Sequence, residues 1–261
     1  MLVCFLTDVF VRNKRRKLIY LSKITSTVSK IGLKLLGVKV DVKNYENLSK
    51  SDKNCLIISN HLSYVDIFMI SSLIPSIFIA NSELKEEFLL GKVTRFSGGV
   101  FVERRNRTNL LEEIEKISNL LKEGFNVVLF PEGTTSNGER VLPFKTSFLD
   151  SAIRSNVDIL LVCIKYRKIN DEDVNPKNRD LVFYHGGMKF FEHFFKLLSL
   201  KSVNVELTFI ERIAANSYLS RKELAKLAFD TINSAYQEVS SKEVFANPSS
   251  TLKELEQTRY N

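Results

Sequence analysis

The stretch "IISNHLSYVDIF" (residues 57–68) decides how the rest of the chain is read. An apolar run through Leu56, Ile57 and Ile58 stops at Ser59-Asn60-His61, and the chain turns apolar again after Asp66. A short continuous apolar run that ends this abruptly suits a buried strand. The apolar residues of 64–74, closed by Pro75, suit a helix. His61 then lies in the turn between them. On a regular helix a spacing of five rotates about 500°, leaving two side chains roughly 140° apart. His61 and Asp66 therefore meet only if the histidine precedes the helix and the aspartate occupies its first turns. Histidine is the commonest general base near neutral pH, and a carboxylate on its Nδ1–H fixes tautomer and orientation.

Working outward, strands are expected at 38–42, 55–59, 76–80, 100–102, 126–130, 158–166, 181–185 and 203–210. Helices are expected at 64–74, 83–96, 109–122, 144–155, 189–199 and 221–241, the last opened by the capping box Ser220-Arg221-Lys222-Glu223. This alternation argues an α/β class with a central, mostly parallel or mixed sheet flanked by helices. The expected division is an N-terminal basic amphipathic helical segment (1–37), one main domain (38–245) and a polar tail (246–261). In such sheets ligands gather where strand ends meet helix N-termini, so polar breaks after strands are the candidate sites.

The 261 residues carry a formal charge of +8, which favours an anionic partner: nucleic acid, an anionic membrane surface or a phosphorylated substrate. From Arg12 to Lys39 there are nine Lys or Arg and no acidic residue. The same segment carries Leu21, Ile24, Val28, Ile31 and Leu35 at helical spacing. Such a helix can lie in a membrane interface or pack on the domain, and the membrane is the expectation. The apolar start "MLVCFLTDVFV" is well short of the roughly 20 residues needed to span a bilayer. It also lacks the basic start and cleavage site of a signal peptide. A peripheral or monotopic protein on the cytoplasmic face of a membrane is expected, with no nucleic-acid motif to support that rival. Cys4, Cys55 and Cys163 lack metal-ligand spacing, as do the three histidines, so neither a metal nor a disulfide framework is expected. His185 and His193 read as structural.

Two further strand ends carry chemistry. "FPEGTTSNGERVLPFK" (130–145) sets the Glu132 carboxylate beside Gly133, with Thr134, Thr135 and Ser136 offering hydroxyls. Glycine admits φ > 0 and close ligand approach, and free N–H groups there suit a phosphate or oxyanion. "GGVFVERR" (98–105) delivers Arg104 and Arg105 after a short strand, and arginine binds phosphate or carboxylate bidentately. Lys145 is a lesser candidate for assisting an anion. A hydrolase using Ser63, His61 and Asp66 is the rival chemistry, although no G-x-S-x-G elbow exists.

The three blocks in this order resemble the glycerolipid acyltransferase family, the lysophosphatidic acid (1-acyl-sn-glycerol-3-phosphate) acyltransferases and their relatives. The N-H-x4-D block is similar to Asn60-His61 with Asp66, and the second to Ser82-Glu83-Leu84 through Gly91 to Gly98-Gly99-Val100-Phe101-Val102-Glu103-Arg104. The third is similar to Phe130-Pro131-Glu132-Gly133-Thr134-Thr135, in a context most like a bacterial branch that includes lyso-ornithine lipid acyltransferases. The resemblance runs from about residue 35 to 212. It implies His61 as the base and Asp66 as its orienter, with Arg104, Glu132, Gly133 and Thr134 binding the acceptor. It also implies a lysolipid acceptor, most simply 1-acyl-glycerol-3-phosphate giving phosphatidate. Acyl-CoA or acyl-carrier protein would be co-substrate, with no cofactor. The sequence departs at Asn81, where a lysine is common, at Phe88, and at Val157–Val162, which lacks the family's prolines.

Overall fold

The computed structural model describes residues 7, 10–85, 90–103, 109–215 and 220–246. Helix α1 (Lys14–Leu35) is capped by the Asn13 side chain, which accepts from Arg16 N. Strand β1 (Val38–Lys43), a one-turn α2 (Glu46–Ser49), β2 (Cys55–Ser59), α3 (Val65–Leu73) and β3 (Ile77–Asn81) follow. Next come α4 (Leu90–Phe96), β4 (Val100–Val102), α5 (Leu110–Lys122), β5 (Val127–Leu129) and α6 (Asp150–Ser155). The remainder is β6 (Asp158–Ile169), the short β7 (Glu172–Asp173), α7 (Phe190–Leu198), β8 (Val203–Ile213) and α8 (Arg221–Ala246).

The strands form one sheet in the order β1-β8-β6-β2-β5-β3-β4, with β7 paired to β6. Every pairing is parallel except those of β6 with β8 and β7. This is the mixed α/β architecture expected from the alternation. All five residues of β2 are buried, because helices cover both faces of the sheet there. On one face α1, α3 and α7 contribute Leu33, Leu36, Val65, Met69, Ile70 and Leu197 to a core cluster. On the other, α5, α6 and α8 contribute Ile114, Ile117, Ala152, Leu224 and Ala228 to a second.

Three expectations need correction. Residues 181–185 do not form a strand: Arg179–Leu181 is a 3-10 turn, and Val182 N and Phe183 N both donate to Arg179 O. Val182 and Phe183 are buried as loop residues, so the apolar run reflects burial rather than pairing. Residues 144–155 supply a 3-10 turn at Ser147–Leu149 and only then α6. Within 83–96, Ser82–Lys85 is a 3-10 turn and the helix is Leu90–Phe96.

Helix α1 also packs differently from its apolar stripe. It docks against α3 and buries Leu21, Ser22, Thr25, Ser26, Ser29 and Leu33, with the Thr25 hydroxyl donating to Ser97 O. Val28, Ile31 and Leu35 stay exposed. Small hydroxyl side chains allow the close approach, so the larger apolar residues are left outside. Among the described residues no helix is long and apolar enough to cross a membrane.

One loop contact tests the packing around Phe183. Gly138 has φ +76°, and a Cβ there would overlap the buried Phe183 ring. Gly138→Ala should destabilise the protein by about 2–4 kcal/mol through overpacking and backbone strain, measured by urea unfolding.

Candidate active site

β2 ends at Ser59, where the ladder with β6 passes to a side chain. Asn60 Nδ2 donates to Ile164 O at 2.9 Å, and Ile164 N donates to Asn60 Oδ1 at 2.8 Å. A carboxamide has the donor and acceptor of a peptide unit, so Asn60 extends the pairing while the backbone turns away. The turn 61–64 then leads into α3, with Asp66 in its first turn. His61 Nδ1 lies 2.9 Å from Asp66 Oδ2. The turn-then-helix geometry demanded by the spacing of five is the one found.

Asp66 has no exposure to solvent. Besides the histidine, Oδ2 accepts from Leu62 N at 2.7 Å and Ser63 N at 2.9 Å. Oδ1 accepts from the Tyr166 hydroxyl at 2.9 Å. Burial, and next the Asp66 charge, hold the Tyr166 phenol well above its ordinary pKa, so it remains a donor. With Asp66 accepting throughout, Nδ1 carries the imidazole proton and the lone pair falls on Nε2. No partner for Nε2 occurs among the described residues, and the side chain is 16% exposed.

The second strand end holds the same turn from its other side. Glu132 is 3% exposed; Oε1 accepts from His61 N at 2.7 Å and Oε2 from Leu142 N at 2.8 Å. His61 O accepts from Ser136 N at 2.9 Å. The His61 ring stacks on Phe130, centroids 3.9 Å apart and planes 10° from parallel. Leu62 O accepts from Tyr184 N at 3.0 Å, which explains why 181–185 is drawn over this edge without forming a strand.

Both Glu132 oxygens are thus taken by backbone N–H groups, and the carboxylate points inward. Glu132 thereby ties the 61 turn to the 142 loop. Gly133, at φ 76° with its N–H on Phe130 O, makes the turn that places exposed Thr134 beside this edge. Lys145 is exposed and its N–H donates to Pro131 O. Arg104 lies outside the described residues, as do Cys4 and Phe88. Ser63 is fully buried with its N–H on Asp66, so it is not a nucleophile at an opening. His193 is buried against the Tyr64 hydroxyl at 3.0 Å, and His185 pairs with Asp180. Cys55 and Cys163 are buried free thiols, pushed up to about 11 and about 12 by desolvation. Sequence reasoning placed Asn60 and Phe130 in the motif blocks without giving them a role, and it missed Tyr166. A tyrosine ending the aliphatic run of β6 is the one signal it left.

A family model described as "Acyltransferase" matches residues 39–165. The lyso-ornithine lipid O-acyltransferase of Brucella abortus (strain 2308) is 31% identical over 217 residues, covering 80% of this chain and 79% of that protein. The chain belongs to the acyltransferase family. This acyltransferase is also similar to the lyso-ornithine lipid O-acyltransferase of Rhizobium meliloti (strain 1021), at 30% identity over 74% of this chain and 68% of that one. It is 39% identical to the 1-acyl-sn-glycerol-3-phosphate acyltransferase of Neisseria gonorrhoeae, over 42% of this chain and 44% of that protein. Its fold is that of the 1-acyl-sn-glycerophosphate acyltransferase crystal structure from Thermotoga maritima. The TM-score is 0.66 at 24% identity, covering 92% of this chain and 87% of that one.

Burial pushes the Glu132 carboxyl of the acyltransferase up to about 7 from 4.5, with its two N–H donors opposing and the Asp66 charge adding. A carboxyl raised on folding binds its proton more tightly in the native state. Its contribution is fully present below the unfolded value and is lost as pH rises through about 7. Wild-type melting temperature should therefore fall between about pH 5 and 8. Glu132→Gln should flatten that slope, at a fixed cost of about 1–3 kcal/mol for the N–H that faces an amide NH2. Melts of both proteins across this range check the difference.

Proposed function

We propose that this acyltransferase moves a fatty acyl group from a thioester, acyl-CoA or acyl-carrier protein, to the hydroxyl of a lysolipid at a membrane surface. The observation that carries the reading is the His61–Asp66 pair. Its Nδ1 is held by a buried carboxylate, and among the described residues its Nε2 has no partner at the end of a strand. Nε2 takes the proton of the acceptor hydroxyl, and the resulting alkoxide attacks the thioester carbonyl. The tetrahedral adduct collapses, the C–S bond breaks, and the thiolate takes the proton back from the imidazolium. No covalent enzyme intermediate is needed, because thiolate leaves readily once the two substrates are aligned.

Asp66 orients His61, while Glu132, Asn60 and Tyr166 are positioning residues that act through the turn or through Asp66. Arg104, with Gly133 and Thr134, is assigned to the anionic head of the acceptor, an assignment that rests on the resemblance in sequence. Lysophosphatidate is the simplest acceptor. A second reading, lyso-ornithine lipid, is favoured by two observations. The relatives so named match 80% and 74% of the chain, against 42% for the Neisseria gonorrhoeae lysophosphatidate relative. Asn81, spent on a 2.9 Å bond to Glu83, stands where a phosphate-binding lysine is common.

Purified protein assayed with both thioester donors and a panel of lysolipids tests the reading. His61→Ala should lower turnover by about 10²–10⁴-fold with the fold retained by circular dichroism. Asp66→Ala should be nearly as severe and less stable, because it orphans the Leu62 and Ser63 N–H groups. Undiminished turnover in His61→Ala would remove the mechanism.

A further inference from the structure

The loop 130–146, between β5 and the 3-10 turn at Ser147–Leu149, carries no helix or strand, yet both ends of the His61 peptide depend on it. Glu132 accepts from His61 N, and Ser136 N donates to His61 O. A stretch of this length without regular structure keeps one shape only where the surrounding elements supply its contacts. Helix α8 supplies two of them. The Phe144 ring meets the Phe229 ring edge to face, centroids 5.5 Å apart. Seven residues further on, on the same side of the helix, the Tyr236 hydroxyl donates to Gly138 O at 2.7 Å.

Tyr236 is held in place by the strand that builds the rest of the site. Three consecutive residues of β6 each hold a different part of it. Ile164 pairs through its backbone with Asn60, and Tyr166 donates to Asp66. Between them Lys165 Nζ donates to Tyr236 O at 2.6 Å and lies 5.5 Å from the centre of that ring. Alternation along a strand sends Lys165 to the face opposite Tyr166, so α3 and α8 are tied to one stretch of β6 from its two sides. The Tyr236 ring packs against both core clusters. Burial, with Cys163, Glu132 and Asp66 nearby, holds its phenol above the ordinary pKa, so the hydroxyl stays a donor. From Gly138 the path to the base is short. Gly138 N donates to Ser136 Oγ at 3.3 Å, and Ser136 N to His61 O at 2.9 Å. The buried Phe183 ring lies against Gly138 as well.

We propose that Tyr236 is a positioning residue for the base: its hydroxyl fixes the tip of the 130–146 loop, and the loop holds the His61 turn through Ser136 and Glu132. The proposal rests on the reading of His61 as the base and brings the last helix of the chain into its support. Packing alone does not call for the hydroxyl. A phenylalanine would fill the same space against both clusters, and the Gly138 carbonyl would lose its donor.

The test compares Tyr236→Phe in the full-length protein with Ile232→Val, a packing change in the second core cluster on the same helix. In the lysolipid acylation assay Tyr236→Phe should lower kcat by roughly 10–100-fold, with KM for both substrates within about twofold of wild type. Ile232→Val should keep the wild-type kcat at a comparable loss of melting temperature. Combined with Glu132→Gln, the loss should be smaller than the product of the single losses, because both changes act on one turn. A readout independent of activity is the imidazole Cε1–H resonance of His61, one of three histidines, assigned with His61→Ala. It should shift and broaden in Tyr236→Phe and stay in place in Ile232→Val. Absence of transfer even in wild type would overturn the proposed function, while the resonance would still decide the positioning. The positioning role is overturned by an unmoved His61 resonance or by wild-type kcat in Tyr236→Phe. It is equally overturned by the same fall of kcat in Ile232→Val, or by fully multiplicative losses in the double variant.

Discussion

Asp66 is a carboxylate with no access to water, held by the His61 ring, two backbone N–H groups and the Tyr166 hydroxyl. Burying an unpaired charge costs several kcal/mol, so such a group forces its surroundings to supply donors. Here the donors come from the turn after β2 and from β6, while the acceptor rides on the first turn of α3. The anion also sits at the positive end of that helix, where the backbone dipoles favour it. Satisfying one buried charge thus fixes strand end, turn and helix relative to one another. The orientation of His61 follows from that constraint.

Glu132 repeats the device from the neighbouring strand, with each oxygen on a different loop. Together with Asn60 on β6 and Ser136 on the His61 carbonyl, it leaves the histidine little freedom. Its N–H, its C=O, its Nδ1 and one ring face are all engaged. In the proposed mechanism a base held in this way needs no reorganisation when the reacting groups arrive, which is the larger part of what positioning contributes to rate. What reaches His61 from the 134–136 turn is main-chain N–H, which Ser136 supplies with its backbone.

What could be read from the chain divides along physical lines. The pairing of His61 with Asp66 was legible because five residues fit only a turn followed by a helix. The α/β alternation was legible because each buried strand is short, apolar and closed by a polar break. Residues 181–185 misled because burial in a loop and burial in a sheet leave the same apolar composition. Of the stripe Leu21, Ile24, Val28, Ile31 and Leu35 expected on α1, Val28, Ile31 and Leu35 share the exposed side while Leu21 is buried. Periodicity does not say whether that side faces the core, and here hydroxyl-bearing residues do so instead. Glu132 was legible as a polar break after a strand, but the two backbone donors its oxygens serve are displayed by no sequence pattern. Tyr166 and Asn60 act across about a hundred residues of chain, a separation that local reading cannot bridge.

The position of α3 links this chemistry to the outer layer. Its first turn carries Asp66, its flank receives α1, and Tyr64 just before it bonds His193 of α7. A lysolipid hydroxyl sits at headgroup depth, so an enzyme that acylates it gains nothing from extracting the acyl tail into water. Exposing the apolar sides of α1 and α7 costs the free protein solubility and contributes nothing to its core. A helix shared by the outer layer and the His61 turn thus couples the placement of α1 and α7 to the orientation of His61. Small side chains at Ser22, Ser26 and Ser29 let α1 dock closely while Val28, Ile31 and Leu35 stay exposed.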